Sequence, residues 1–315
     1  MAPTATTYPV EPGSLTREDA LYLLSRPNLI GERVMKAMGD DMFPVATTLL
    51  AGRAQFVEGV IVITPNEAPI AADGVGDVAP GAEYPETTLF SGDSHTAESL
   101  KRGYKVKITD EALSRNPFGI TNTLNAVFTF LGNGMKVDFE RLCTAAVGSA
   151  PVPAYTASPW DTTKEDGLDQ MAEDVVGAYE QILTLDKGFA PTRIVVTPAQ
   201  WAKIARLLTK TKELNPLQTN LPLNPWDPSA YFVARRLPKA WQPTLVDPAY
   251  FGGIAHETID SEGEYAAVGA VPLGFEVASW RDPGRKDTRW VQCRKTDSPY
   301  LWNPDAALTL TGTGL

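Results

Sequence analysis

Cysteine is scarce in this 315-residue chain, which has only Cys143 and Cys293. Two widely spaced thiols cannot build a disulfide framework or a Cys-rich metal cluster. Cys143 falls in an apolar helical pattern and Cys293 in a strand pattern, so both read as buried small hydrophobes in a reducing compartment. The two histidines, His95 and His256, stand at no metal-ligand spacing from another His or Cys, which argues against a zinc site. No run approaches the ~18 apolar residues of a membrane span. Met1–Gly13 carries three prolines instead of a basic segment followed by an apolar one, and so reads as an extended arm rather than a signal peptide. Positive charge is also short. With 28 Lys and Arg against 38 Asp and Glu, the net charge of −10 argues against a general nucleic-acid binder. What remains is the profile of a soluble globular protein.

The deficit of positive charge is concentrated in one place. From Ala54 to Leu100 there is no lysine or arginine, while the same stretch holds Glu58, Glu67, Asp73, Asp77, Glu83, Glu86, Asp93 and Glu98. Lys101, Arg102, Lys105 and Lys107 follow at once. The stretch is rich in Pro and Gly and has no helical period, so it cannot bury a core of its own. It therefore reads either as a solvated acidic loop or as an arm that lies on another copy of the chain. In the second case Glu67, Asp73, Asp77, Glu83, Tyr84 and Glu86 would meet a neighbour, with Lys101, Arg102, Lys105 and Lys107 at the root.

Around this arm the periodicity predicts regular elements. Thr16 and Asp19 form a capping-box pattern for a short helix that Pro27 stops, and Ile30–Met38 forms a second helical piece. Val57–Thr64 has the β-branched density of a strand. Lys101–Ile108 alternates Tyr104, Val106 and Ile108 against Lys105 and Lys107, and the two strands bracket the arm as a two-stranded excursion. Ile120, Leu124, Val127, Leu131, Met135, Phe139, Leu142 and Ala146 then fall on one stripe of a long helix interrupted by Gly132 and Gly134, where a bend or a close crossing is expected. After the prolines at 151, 153 and 159, a helix runs over Lys164–Leu185 with Leu168, Met171, Val175, Tyr179 and Ile182 on one face. Arg193–Thr197 reads as a buried strand leading into a helix at Pro198. Leu214–Pro228 reads as a loop, and strands are expected at Thr244–Val246, Tyr265–Ala270, Gly274–Trp280, Thr288–Arg294 and Ala306–Thr311. Helices first and strands later predict an α+β fold.

Catalytic motifs are wanting. Gly74-Val75-Gly76-Asp77-Val78-Ala79 has the form of a dinucleotide fingerprint, but Pro80-Gly81 forbids the helix that must follow. No G-x-S-x-G elbow occurs. Asp110-Glu111 reads as the acidic first turn of a short helix over Asp110–Arg115 rather than an acid/base pair. The chain is expected to be no enzyme and to need no cofactor or metal.

The order of elements resembles that of tailed-bacteriophage major capsid proteins, a fold shared with encapsulin shells and the floor of herpesvirus capsids. The phrases Val78–Pro85, Lys107–Ala112, Ile194–Pro198 and Trp302–Gly312 are similar to those in capsid proteins of phages infecting actinobacteria. The resemblance implies an N-terminal arm at 1–50, an extended loop (E-loop) with its flanking strands at 51–110, and a peripheral domain with a spine helix at 111–160. An axial domain at 161–270 would follow, and return strands at 271–315. Leu124, Val127, Leu131, Met135 and Leu142 would then form the core face of the spine helix. It further implies hexamers and pentamers of an icosahedral shell, assembled in the host cytoplasm with a scaffolding protein and a portal. Such a shell encloses double-stranded DNA without sequence-specific binding and involves no membrane. The encapsulin-like nanocompartment is the alternative. Two departures stand out. Only about 50 residues precede the first strand, too few for the fused scaffolding domain of some members, and the loop has no lysine before Lys101 to form the isopeptide bond of others.

Overall fold

In the computed structural model the described residues are 16–38, 44–55, 60–63, 95–115, 119–160, 167–185, 187–209, 223–257, 265–268, 275–284 and 287–315. In chain order the elements begin with α1 (Arg17–Leu24), α2 (Pro27–Met38), α3 (Pro44–Thr48), β1 (Gly52–Gln55), β2 (Val60–Ile63), β3 (His95–Glu98) and β4 (Lys101–Thr109). The middle of the chain forms α4 (Asp110–Arg115), α5 (Gly119–Gly148), β5 (Ala154–Thr156), α6 (Gly167–Thr184), β6 (Arg193–Val196) and α7 (Pro198–Leu208). Then come β7 (Tyr231–Val233), β8 (Thr244–Val246), α8 (Pro248–Phe251), β9 (Gly252–His256), β10 (Ala266–Val268), β11 (Phe275–Arg281), β12 (Thr288–Leu301) and β13 (Ala307–Thr311). The chain divides into two compact units. The first comprises Met1–Phe43, Ser99–Phe139 and His256–Asp297, the second Pro44–Glu98, Glu140–Ala255 and Ser298–Leu315.

In the first unit β4, β12, β11 and β10 lie side by side, each pair antiparallel. The first nine residues of β12 are matched one for one by β4, from Thr288↔Thr109 to Thr296↔Lys101. One face of this sheet carries Ile108, Phe275, Val277, Val291 and Cys293 into a core shared with Leu23, Leu24, Ile30, Val34, Leu124, Phe128, Leu131 and Met135. The capping box at α1 forms as expected: Asp19 N donates to Thr16 Oγ1 at 3.2 Å, and Thr16 N donates to Asp19 Oδ2 at 3.0 Å. The Thr16 hydroxyl, which donates to Asp19 Oδ2 at 2.7 Å, and after it the Thr16 N–H hold the Asp19 carboxyl below its ordinary pKa. Pro27 does more than stop α1; it opens α2, where its missing N–H is no loss.

Two expectations need correction. The partner of β2 is β3, with Val60↔Glu98 through Ile63↔His95, and not the basic strand β4. The nine-residue run of β4 is taken up by the longer β12, so the short His95–Glu98 segment pairs with β2. The second correction concerns the helix stripe. Leu124, Phe128, Leu131, Met135, Phe139, Cys143 and Val147 are the buried apolar residues of α5; Val127 is half-buried and packs against the same core, as expected, whereas Leu142 is half-buried outside that core cluster. Steps of four after Leu131 keep the side chains on one face, so the stripe passes through Cys143 rather than the more apolar Leu142.

In the second unit a five-stranded sheet has the order β5-β13-β8-β6-β7. α6 packs on β13 and α7 on β7. Met171, Val175, Ala178 and Ile182 of α6 are buried, while Tyr179 is half-buried and the side chain of Leu168 lies outside the described residues. Thr197 caps α7 with Gln200 in a second capping box. Buried carboxylates satisfy backbone donors and one indole N–H. Asp174 accepts from Ser158 N at 3.0 Å and Trp160 Nε1 at 2.7 Å, Asp247 from Ala190 N at 2.8 Å and Ala249 N at 3.0 Å, and Glu140 from Val45 N at 3.1 Å. Gly252 and Gly253 sit in β9 because a Cβ there would come within 2.5 Å of Tyr300 O and Gly52 O.

Candidate assembly surface

Alternation along β4 sorts its side chains onto two faces. Arg102, Tyr104, Val106 and Ile108 share the face toward α5. Val106 and Ile108 join the core, Arg102 pairs with Asp138 at 3.2 Å, and Tyr104 crosses α5 at Gly134. A Cβ at Gly134 would lie 3.2 Å from the Tyr104 ring, which accounts for the glycine as a close crossing. Lys101, Lys105 and Lys107 alternate with these residues and are exposed on the opposite face. The Lys105 ammonium stands 4.9 Å from the centroid of the Trp290 ring, a cation–π contact across the strand pair.

Beside Tyr104 an apolar stripe of α5 faces outward. Phe130 is 62% exposed, Val137 42% and Tyr104 39%. Positions 130, 134 and 137 are four and three residues apart, so Phe130 and Val137 flank Gly134 on one face. The Arg102–Asp138 pair borders this stripe. Large apolar side chains exposed near one another are the kind of surface that a protein contact covers.

A second feature is a buried ionic cluster on the same sheet. Arg294 pairs with Glu276, and its guanidinium lies 3.4 Å from the centroid of the Tyr265 ring. Lys295 pairs with Asp297 and stands 4.6 Å from the Phe139 ring centroid. Burial pushes the Asp297 carboxyl up to about 6, with Lys295 opposing the shift. His256 Nδ1 is buried and has no hydrogen-bond partner. Burial also pushes the Cys293 thiol up to about 12, so it stays protonated and inert. Pairing, not acid–base turnover, is what this arrangement does, since each buried charge has an opposite charge against it.

Of the residues expected at subunit contacts, Glu67, Asp73, Asp77, Glu83, Tyr84 and Glu86 lie outside the described residues, as do the Gly74–Ala79 phrase and positions 214–222 of the expected loop. Lys101, Lys105 and Lys107 are brought together on one face of β4, and Arg102 is turned to its own subunit's Asp138. Leu124, Leu131 and Met135 are buried. The Phe130–Val137 stripe was missed by sequence reasoning; its signal is two large apolar residues seven apart that fall off the buried face. Among the described residues no group of three His, Cys, Asp or Glu could hold a metal ion, and no helix is long and apolar enough to cross a membrane.

This α+β fold, with one unit built around a long helix over an antiparallel sheet, recurs in solved structures. A phage-related protein from Bordetella bronchiseptica is 16% identical, with a TM-score of 0.56 over 91% of this chain and 97% of that one. A virus-like particle protein from Pyrococcus furiosus is 10% identical, with a TM-score of 0.53 over 89% and 97%. The mature capsid of bacteriophage PhiM1 is 12% identical, with a TM-score of 0.52 over 82% and 84%. No curated protein matches the sequence. The phage capsid protein family matches residues 92–310, more than half of the chain. The chain belongs to that family, whose members are structural shell components and not catalysts.

Proposed function

We propose that this protein is the major capsid protein of a tailed double-stranded DNA phage, and that copies of it assemble into an icosahedral shell of hexamers and pentamers. The observation that carries this reading is the exposed Phe130–Val137–Tyr104 stripe in a member of the capsid family, a surface suited to another copy of the chain. The stretch at 51–110 would be the E-loop laid over a neighbour, with Glu67, Asp73, Asp77, Glu83, Tyr84 and Glu86 in contact and Lys101, Lys105 and Lys107 at its root. The segments at 111–160 and 271–315 would form the peripheral domain with α5 as its spine, and 161–270 the axial domain. Residues 1–50 would form the N-terminal arm. A separate scaffolding protein and a portal would act during assembly in the host cytoplasm. The negative balance of the chain favours enclosing DNA without gripping it.

The rival reading is an encapsulin-like compartment, supported by the likeness to the Pyrococcus furiosus particle. Particles purified from infected or lysogenic cells and treated with nuclease separate the two. Protected genome-length double-stranded DNA is expected; particles that instead hold a protein cargo and no protected DNA would favour the compartment.

A further inference from the structure

Two arginines of the first unit pair with one carboxylate, and a third stands opposite one of them. Arg17 opens α1, Arg281 ends β11, Arg289 lies at the start of β12, and Asp110 opens α4. Arg281 and Arg289 are direct cross-strand partners, an arrangement of like charges that costs stability unless an anion lies between them. Asp110 meets that need only in part. Its Oδ2 is 3.4 Å from Arg281 and 3.7 Å from Arg17. Arg289 gives one N–H to the Leu24 carbonyl at 3.0 Å, while its Nε is buried with no hydrogen-bond partner. Burial and the facing Arg281 lower the pKa of Arg289, with Asp110 pulling the other way. The four groups therefore carry two more positive charges than negative ones, on a chain whose net charge is −10. Arg17 and Arg281 are 55% and 50% exposed, so the cluster is open to a dissolved ion.

We propose that Arg17, Arg281 and Arg289 form a binding site for a doubly charged oxyanion of the phosphate class, seated beside Asp110. A charge of minus two matches the excess of the cluster, and guanidinium forks match phosphate oxygens in bidentate geometry. The bound ion ties α1 to the paired ends of β11 and β12, and so fastens the N-terminal helix to the sheet. It is supplied either as free phosphate or as the terminal phosphate of a monoester.

Isothermal titration calorimetry of the purified full chain, at constant ionic strength set with sodium chloride, tests the site with inorganic phosphate and with O-phosphoserine. Saturable binding of one anion per subunit is expected. A response to both ligands assigns the site to phosphomonoesters, and a response to inorganic phosphate alone assigns it to the free ion. Arg17→Gln and Arg281→Gln should each weaken binding about tenfold, the loss expected for one charge-assisted contact. Asp110→Asn should tighten it by removing the competing carboxylate, a direction that damage to the fold would not produce. Arg206→Gln, on α7, should leave it unchanged. Absence of saturable binding to either ligand overturns the proposal. So does undiminished binding in a folded Arg17→Gln/Arg281→Gln variant, which would mean a general salt effect.

Discussion

Phe130→Asp should separate folding from assembly, because Phe130 is 62% exposed on α5 and contributes little to its own subunit's core. A phenylalanine side chain carries roughly 200 Å² of surface, so a neighbouring copy that covers the exposed part removes about 120 Å² from water, worth about 3 kcal/mol. An aspartate in the same place must be desolvated as well, which adds to the loss. A loss of about 3 kcal/mol lowers an association constant about a hundredfold at each contact. Every subunit of a shell makes that contact, so the effect compounds as the shell closes. Light scattering over a dilution series would read the concentration at which particles appear, and circular dichroism would follow unfolding of the unassembled subunit. The onset should rise at least about a hundredfold while subunit stability stays within about 0.5 kcal/mol, the range of ordinary surface substitutions. An unchanged onset would refute the stripe as an assembly surface, and an unfolded subunit would refute its reading as surface at all.

Leu131 is fully buried in the first unit's core, so Leu131→Asp combines a lost side chain at about 2–5 kcal/mol with the cost of a buried charge. The variant should be insoluble on expression; soluble, particle-forming protein would contradict the core assignment. Asp297→Leu removes the carboxylate that faces Lys295 and should cost about 3–5 kcal/mol in chemical denaturation, with Lys295→Met/Asp297→Leu recovering most of it. The folded Asp297 carboxyl titrates at about 6, above its ordinary 3.8, so the folded state takes up that proton more readily. Its contribution to stability is therefore greatest below 3.8 and is lost as pH rises through about 6, and Asp297→Asn should flatten that part of the profile. Deleting residues 68–91 should leave a folded subunit, by circular dichroism, that no longer closes shells in the electron microscope; normal particles would show the arm to be dispensable.

The parts of the fold legible in the sequence are those with long periods or strong local chemistry. The 30-residue α5 announced itself through repeated threes and fours, and Thr16 and Thr197 marked helix starts through their own hydrogen bonds. The drift of the stripe from Phe139 to Cys143 was hidden because Leu142 is the more apolar neighbour, while helix geometry rather than apolarity decides which residue faces the core. Short strands such as His95–Glu98 and Gly252–His256 lack a β-branched alternation and exist because a partner strand is there. Paired glycines suggest a turn, yet Gly252-Gly253 is a strand held by close backbone approach, which only tertiary structure reveals. Of the candidate contact surface, the basic root was visible as an abrupt change of charge. The pairing of Arg102 with Asp138 and the exposure of Phe130 depend on how α5 lies on β4, and no local pattern encodes that.

The central claim is that copies of this chain build a closed shell. Negative-stain electron microscopy of the purified protein, expressed alone and with a co-expressed scaffolding protein, tests that claim most directly. Closed icosahedral particles of uniform diameter, each made of many copies of this 34.1 kDa chain, are the expected result. A folded protein that remains monomeric or stops at a small oligomer in both preparations would contradict it.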